Sequence, residues 1–303
     1  MKKILVSVLT LYAALSLAAC GTPAENSSLS APGEGSSSSA GSVQVQKPQD
    51  SPGPERTFRI DTEKETVWYE GYSSERIWSS RYEYDGAGHL LSITPTDGEG
   101  GSAQCYDYDE AGNLLREYDS DEIFVTEYTY DDQGRLGSTT EKYDGRVLSV
   151  ETYTYDSQDR KVMAMKEGEF QGDPGSYTTT TVYSYDDQGL LVKEASTSVS
   201  QLAGESANQS TSRTEYSYRT DGQIESKRVF ADEDLQSETT YTYDQEKLSI
   251  QETTYEPSGE MEVINFAYDD QGNVIQKVTL RLSSKWEEKS RVTNEYTYVE
   301  VES

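Results

Sequence analysis

Few residues in this chain are suited to nucleophilic or acid–base chemistry. The one histidine is His89, and the two cysteines are Cys20 and Cys105. A catalytic cysteine or serine normally needs a neighbouring base. His89 follows a glycine in a predicted turn, where an exposed loop residue is expected. Cys105 stands beside Tyr106 at the start of a predicted strand, where a buried and unreactive thiol is expected. The sequence therefore predicts that the protein is not an enzyme.

The carboxylates are abundant, but they show no pattern typical of a glycosidase or a metal site. With 55 acidic and 26 basic side chains, close pairs of carboxylates occur throughout and carry no weight as a hydrolase signature. The acidic runs at 119–122 and 232–234 are candidates for calcium, yet neither fits an EF-hand or a glycine-rich calcium-binding repeat. We favour solvated loops over calcium sites there. Because the sequence has no P-loop, dinucleotide fingerprint or zinc spacing, no cofactor is predicted.

The N-terminal segment has the order of a lipoprotein signal. Two lysines precede a mostly apolar run that is too short to be a convincing stop-transfer helix. The run ends in the letters LAAC, with Cys20 last, which resembles the lipobox of bacterial lipoproteins. The resemblance implies that residues 1–19 are removed and that Cys20 is acylated, so that lipid anchors the chain to a membrane without spanning it. The alternative is an ordinary signal peptide with an incidental cysteine.

Residues 20–55 and residues 56–303 differ in composition. After Cys20 the chain is dominated by Ser, Gly, Pro and Ala, with too little apolar surface to offset the entropy of ordering, so a flexible tether is predicted. Residues 56–303 are long enough to bury a core and form one domain within the range of all-β folds. The net charge of −29 repels phosphate backbones and anionic lipid heads, which argues against nucleic acid as a partner.

Self-similarity is the strongest signal in the second region. The stretch YTYDDQGRL begins at Tyr128, and similar stretches recur with a mean period of about 27 residues. Most of the 24 tyrosines occupy these paired positions. Eight units align on their second aromatic residue, and a ninth begins at Tyr296. The aligned residues are Tyr84, Tyr108, Tyr130, Tyr155, Tyr185, Tyr218, Tyr243 and Tyr268.

Each unit has the pattern of a β-hairpin. Tyr128 and Tyr130 are two residues apart and therefore share one face of a strand. Asp131 suits the first position of a type I turn, and Gly134 suits the left-handed residue that ends it. A three-residue loop then places Tyr130 opposite Leu136 across the ladder. The corresponding turn residues in other units are Asp85 and Gly88, Asp109 and Gly112, Asp186 and Gly189, and Asp269 and Gly272.

Departures from the pattern favour a folding unit over a catalytic signature. Asp159 stands where glycine is expected, and aspartate tolerates the left-handed region. Arg219 replaces the turn aspartate, and the unit at Tyr243 lacks both the glycine and one residue. Polar members of the motif are thus interchangeable. Polar strands separate the hairpins and helical periodicity is absent, which predicts an all-β antiparallel meander of about sixteen to eighteen strands.

The recurring motif YxYDxxGxL also indicates a family. At this spacing it resembles the YD repeat of RHS-type proteins over residues 82–298. In that family the repeats form a continuous β-sheet that spirals into a hollow shell, and large members enclose a toxin or display adhesive domains. This chain has few repeats and ends at Ser303, soon after a repeat begins. We therefore expect a curled sheet or a partial barrel or shell, without encapsulation of a toxin.

Two classes of function fit these features. In the first, the protein is a non-catalytic lipoprotein of the bacterial cell envelope, outside the cytoplasm, that binds a carbohydrate or a protein at the cell surface. In the second, it is a small RHS-family scaffold or a remnant of a toxin-associated shell, with no ligand of its own. Paired tyrosines are expected in the core, so the candidate ligand contacts lie outside those positions. They are Trp68, Tyr72, Trp78 and Trp286, although the segment from Trp68 to Trp78 alternatively caps the first hairpin.

Overall fold

The computed structural model describes residues 57–97, 101–170, 174–244 and 249–301, which form eighteen β-strands. The predicted signal peptide (1–19), the acylated Cys20 and the tether (20–55) lie outside the described residues and stay predictions. The strands are β1 (Thr57–Tyr69), β2 (Arg76–Tyr84), β3 (Leu90–Pro95), β4 (Gln104–Tyr108), β5 (Leu114–Asp119), β6 (Phe124–Tyr130), β7 (Leu136–Tyr143), β8 (Arg146–Tyr155), β9 (Lys161–Glu169), β10 (Gly175–Tyr185), β11 (Leu191–Leu202), β12 (Asn208–Tyr218), β13 (Ile224–Ala231), β14 (Asp234–Tyr243), β15 (Ser249–Tyr255), β16 (Met261–Tyr268), β17 (Val274–Leu282) and β18 (Glu288–Val301).

The strands form a closed antiparallel barrel. Each strand pairs with its neighbours in sequence, from the β1–β2 pair to the β17–β18 pair. The ring closes because β1 also pairs with β18, from Thr57 opposite Val301 to Tyr69 opposite Ser290. The prediction of an all-β antiparallel meander is confirmed. The expected curled sheet or partial barrel is wrong, because both edges of the sheet are joined.

The first strand explains why the barrel closes. β1 has 13 residues and precedes the first YD unit, so it is an additional strand outside the repeat. It pairs with β2 on one side and with β18 on the other. The repeat pattern alone would leave β2 and β18 as open edges, which are prone to pair with other chains. A strand that covers both edges removes this hazard.

The two faces of the sheet differ in burial. Along β8, Tyr153 and Tyr155 are half-buried, whereas Thr152 and Thr154, which alternate with them, are exposed. Side chains converge on the concave side of a closed sheet, so we assign the tyrosine face to the inside of the barrel. A barrel of eighteen strands is too wide for its side chains to fill. Strongly buried apolar residues are accordingly few among the described residues: Val67, Val125, Ala164 and Met261.

The connections divide into two sets, one at each end of the barrel. The turns that carry the YD motif join even-numbered strands to the odd-numbered strands that follow, and we call this end the YD end. The remaining turns, from β1–β2 to β17–β18, lie at the other end, which we call the opposite rim. Thr57 begins β1 and Val301 ends β18 at the YD end. The chain therefore enters and leaves the barrel at the YD end.

Candidate functional site

The YD turn is a five-residue hydrogen-bonded loop closed by a left-handed glycine. In the unit that begins at Tyr128, the Asp131 N–H donates to the Arg135 carbonyl over 2.8 Å, and the Gly134 N–H donates to the Asp131 carbonyl over 2.9 Å. Gly134 has φ = 77°. The Asp131 carboxylate also accepts from the backbone N–H groups of Gln133 and Arg135. The predicted pairing of Tyr130 with Leu136 is confirmed.

The same geometry recurs at the other described YD turns. The positive-φ glycines are Gly88, Gly112, Gly134, Gly189, Gly222 and Gly272, and the aspartates at the start of five of these turns are Asp85, Asp109, Asp131, Asp186 and Asp269. Asp159 replaces glycine and adopts φ = 59°, so this turn keeps its conformation. Arg219 also keeps both backbone bonds of the turn in place of aspartate. The turn that follows Tyr243 includes residues outside the described part of the chain.

The second tyrosine of a unit connects that unit to the preceding hairpin. The Tyr130 hydroxyl donates to the Leu114 carbonyl over 2.9 Å, and the Tyr155 hydroxyl donates to the Leu136 carbonyl over 2.8 Å. Each of these carbonyls belongs to the residue that faces the preceding unit's own tyrosine. The same bond is made by Tyr185, Tyr218, Tyr243, Tyr268 and Tyr298. We call these seven hydrogen bonds the tyrosine clamps.

The residue after the turn glycine also connects units. The Arg135 side chain pairs with Asp131 and lies over the Tyr155 ring, with 4.7 Å from its Cζ to the ring centroid. Arg160 makes the matching contacts with Asp156 and Tyr185. Sequence reasoning did not predict these contacts. Their signal is a basic side chain at a position that looked variable in the motif.

His89 occupies this connecting position in the first unit. Its Nδ1 lies 2.8 Å from an Asp85 carboxylate oxygen, and its ring stacks on Tyr108 with 4.7 Å between centroids. The side chain is half-buried, so the expectation of an exposed loop residue is wrong. The reason is that Asp85 and the next unit's tyrosine draw the ring onto the sheet. His89 thus has the structural place that arginine has in other units.

The turn aspartates act as hydrogen-bond acceptors. Hydrogen bonds from the Arg135 backbone and side chain hold the pKa of the Asp131 carboxyl below its ordinary value. Bonds from the Asn113 side chain and backbone do the same for the pKa of Asp109. A lowered pKa keeps these groups ionised near neutral pH, where a carboxylate accepts hydrogen bonds but donates no proton. The arrangement suits a turn anchor and not a general acid.

The first tyrosine of several units lies on the inner face next to a carboxylate. The Tyr216 hydroxyl donates to Glu194 over 2.7 Å, and the Tyr128 hydroxyl donates to Glu117 over 3.1 Å. Burial, with help from these carboxylates, raises the pKa of both phenols. Burial likewise raises the pKa of Tyr153 to about 12. The phenols therefore stay neutral and serve as donors within the wall.

The Cys105 thiol is held within the sheet. Cys105 is half-buried on β4, and burial followed by the Asp107 and Asp119 carboxylates raises the pKa of its thiol. A raised pKa opposes formation of the nucleophilic thiolate. The structure thus places Cys105 in an environment that disfavours nucleophilic chemistry.

The acidic runs considered for calcium are tied to neighbouring chain segments. An Asp119 carboxylate oxygen accepts from the Phe124 N–H over 2.9 Å, and Asp121 accepts from the Ser102 hydroxyl over 2.8 Å. Asp232 accepts from the Thr211 N–H over 3.0 Å. Within the described residues, no group of three or more His, Cys, Asp or Glu side chains is arranged to hold a metal ion.

The four predicted ligand contacts divide into two pairs. Trp68 on β1 and Trp78 on β2 are half-buried within the wall, opposite Arg291 and Glu65 respectively. Tyr72 and Trp286 lie in turns of the opposite rim and are 64% and 70% exposed. The structure therefore exposes Tyr72 and Trp286 at the rim and places Trp68 and Trp78 in the sheet, and a ligand contact at any of the four stays a prediction.

Exposed aromatic side chains gather at the opposite rim. Across the described ranges, the exposed Phe, Tyr and Trp residues are Tyr69, Tyr72, Phe124, Tyr143, Tyr255 and Trp286. Each lies in, or at the end of a strand next to, a turn of that rim. Sequence reasoning did not single out Phe124, Tyr143 and Tyr255. Their signal is an aromatic residue beside a turn without the YD motif.

Part of the repeat region matches a known protein family. Residues 54–203 match the family model described as Teneurin YD-shell. No curated protein matches the chain in sequence. In the part of the chain that the structure describes, no helix has the length and apolar character needed to cross a bilayer.

Solved structures with related backbones are distant. A porin-like protein from Bacteroides uniformis aligns at 13% identity and a TM-score of 0.42, covering 79% of this chain and 96% of that one. A porin-like protein from Bacteroides vulgatus aligns at 11% identity and a TM-score of 0.36, covering 80% and 99%. The Photorhabdus luminescens Tc holotoxin pore aligns at 13% identity and a TM-score of 0.27, covering 76% and 17%. TM-scores below 0.5 do not establish a shared fold.

The family assignment therefore rests on the sequence match and on the repeat itself. The match covers residues 54–203, and the same turn continues beyond it at Gly222 and Gly272. The chain is thus built of YD repeats, and its residues 54–203 belong to the YD-shell family.

Proposed function

We propose that this protein is a non-catalytic binding module of the bacterial cell envelope, held outside the cytoplasm by lipid on Cys20. Its ligand is a carbohydrate or a protein at the cell surface. One observation carries the proposal: the exposed aromatic side chains gather at the opposite rim, whereas the chain enters the barrel at the YD end. Thr57, the first described residue, lies at the YD end, whereas Tyr72 and Trp286 lie in turns of the opposite rim.

The placement of the reactive side chains supports a binding role over catalysis. Asp85 and Asp131 are hydrogen-bonded turn anchors, and His89 is stacked and paired at a junction between units. The raised pKa of the Cys105 thiol disfavours the thiolate. A site for nucleophilic or acid–base chemistry needs such groups together and free to act.

The binding role is tested with a pair of double variants. Tyr69→Ala/Tyr72→Ala removes two exposed rings from the rim, and Asp132→Asn/Asp187→Asn alters two exposed residues of the YD end as a matched control. Wild type and control are expected to bind glycan-array spots or purified envelope proteins, and the rim variant is expected to lose that binding. Equal binding by all three forms would refute the rim as the contact surface.

The anchor is tested by Cys20→Ser. If Cys20 is acylated, the substitution is expected to release the protein into the medium or to leave the precursor unprocessed. Fractionation of cells with detection of the β domain measures this. Unchanged membrane retention would contradict lipidation, and it would leave the test of the rim unaffected.

The alternative is a small RHS-type scaffold without a ligand of its own. The observation that favours it is that the repeat's own tyrosines are used in the wall, as clamps or as donors to inner carboxylates. A scaffold of this kind is expected to retain neither glycans nor envelope proteins in the rim experiment.

A further inference from the structure

The turn between β17 and β18 repeats the geometry of the YD turn with a tryptophan in the glycine position. The Ser283 N–H donates to the Glu287 carbonyl over 2.8 Å, and the Trp286 N–H donates to the Ser283 carbonyl over 2.8 Å. The Ser283 hydroxyl accepts from the Lys285 and Glu287 N–H groups, as the turn aspartate does elsewhere. Trp286 has φ = 65°. It therefore adopts the conformation that glycine adopts at the YD end.

A bulky side chain in this conformation is strained and needs a reason to persist. The neighbouring rim turn gives the comparison, because Gly259 holds the same position there with φ = 83° and the same two backbone bonds. Asp144, Asp159 and Asp232 also adopt positive φ, but aspartate tolerates it better. Glu122 adopts φ = 54° as well, and its carboxylate pairs with Arg116. The Trp286 residue is 70% exposed, so packing does not offset the strain. The fold would be served at least as well by glycine.

Trp286 lies in the turn adjacent to the β1–β2 turn, which holds Tyr72, and Tyr69 ends β1 just before that turn. The two turns are joined by the Glu70 N–H, which donates to the Lys289 carbonyl over 2.9 Å, and by the Lys289–Glu70 ion pair at 2.7 Å. The rings of Tyr69 and Tyr72 have centroids 6.1 Å apart and are tilted by 59°. We call Tyr69, Tyr72 and Trp286 the aromatic arc.

The arc is too small for a stable protein interface. Its residues are 48%, 64% and 70% exposed. With 150–250 Å² for each aromatic side chain, the exposed area is roughly 400 Å², about half of what one partner contributes to a standard interface. The charge of −29 also opposes a second copy of this chain and any acidic polymer. A sugar chain needs only a few rings, each stacked on one face of a pyranose.

We propose that the aromatic arc binds an uncharged polysaccharide by stacking, with Trp286 as the principal contact. This inference rests on the proposed binding function and names the class of ligand. The Tyr69 and Tyr72 hydroxyls and the indole N–H supply donors at the ring edges, which suits a ligand that is apolar on its faces and hydroxylated at its rim. The charged side chains of these turns include both signs: Glu70 pairs with Lys289, and Lys285 and Glu287 flank Trp286 with opposite charges.

The test separates a binding role from a structural role of the indole. Trp286→Gly removes the ring and relieves the strained backbone, while Trp286→Tyr keeps a ring. Asp132→Asn alters an exposed residue of the YD end, outside the rim, and serves as the control. The mature chain is titrated with soluble β-1,3-glucan and with N-acetylglucosamine oligomers, and heparin serves as the anionic comparison. Melting temperatures are recorded for every form.

Trp286→Gly is expected to weaken glycan binding by about tenfold while its melting temperature stays the same or rises. Trp286→Tyr is expected to keep most of the affinity, and Asp132→Asn all of it. Unchanged affinity in Trp286→Gly overturns the inference, as does a melting temperature lowered together with affinity. If the wild type binds neither uncharged glycan, the inference fails, whereas rim-dependent binding of an envelope protein would still uphold the proposed binding function.

Discussion

The two ends of the barrel use the same turn in opposite ways. At the YD end, glycine or aspartate takes the left-handed position, and the adjoining tyrosine lies across the wall to clamp the preceding hairpin. At the opposite rim, Trp286 takes that position and its indole lies in solvent. The turns of the YD end thus stabilise the wall, whereas the turns of the rim expose side chains to solvent. Positions that keep the YD motif hold the wall together, whereas the tryptophan that replaces glycine at Trp286 is exposed at the rim.

Loop length follows the same division. Described YD turns keep one five-residue hydrogen-bonded form. The rim turns that are described throughout range from two residues, as at Asp144-Gly145, to six, as at residues 70–75. Tight and uniform turns hold the tyrosine clamps in register, because a residue gained or lost would move each tyrosine to the other face of the sheet. The rim carries no such clamps, so its turns tolerate variation.

Raising the pH is expected to lower the stability of the barrel more than any single substitution below, because it ionises the tyrosines of the wall. Burial raises the pKa of Tyr153, Tyr183 and Tyr241 to about 12 in the folded chain, whereas a phenol in the unfolded chain ionises near 10. Their contribution to stability is therefore full below pH 10 and is lost as the pH rises from about 10 to 12. The barrel is expected to unfold cooperatively in this window.

Absorbance at 295 nm and circular dichroism measured together check this expectation. One group of tyrosines is expected to ionise before the loss of β-structure, and the wall group is expected to ionise with it. A single ionisation near pH 10 with the β-sheet signal intact would contradict the buried, neutral phenols of the wall.

A smaller effect is expected when one clamp is removed. Tyr155→Ala deletes a half-buried ring and leaves the Leu136 carbonyl without its hydroxyl donor. The expected loss in the free energy of unfolding is about 2–3 kcal/mol. Tyr72→Ala removes an exposed ring from the rim and is expected to change stability by less than about 0.5 kcal/mol. Urea titrations of both variants measure the contrast between the ends, and equal losses would abolish it.

The hairpins could be predicted from sequence because turn chemistry is local. The positions of Asp131, Gly134 and Leu136 follow from their spacing and from the conformations that aspartate and glycine accept. The closure of the barrel could not be predicted in this way. The strand pairs that close the barrel, such as Glu63 with Tyr296, join residues far apart in the sequence of the domain. β1 also lacks the YD motif. No local pattern indicates which strand closes a sheet.

The candidate site was only half predictable for a related reason. Sequence reasoning selected Trp68, Tyr72, Trp78 and Trp286 as aromatics outside the repeat, but exposure depends on whether such a residue falls in a strand or in a turn. The turn at Trp286 has serine and tryptophan where the YD motif has aspartate and glycine. Its sequence therefore does not indicate that it has the geometry of a YD turn. The tyrosine clamps could not be predicted from sequence either, because their acceptors are backbone carbonyls of another hairpin.

A smaller loss in the free energy of unfolding is expected from substitutions at Gly134, which holds the left-handed position of a YD turn. Gly134→Val is expected to cost about 1–2 kcal/mol, because a β-branched residue resists φ = 77°. A Cβ at Gly134 would meet no atom within 4 Å, so the cost comes from the backbone and not from a clash. Gly134→Asp is the graded control, because Asp159 holds the same position in the next unit, and it is expected to cost less than valine. Urea unfolding ranks the three forms. If valine were tolerated as well as aspartate, left-handed strain would be negligible in these turns, and Trp286 would need no ligand to explain its place at the rim.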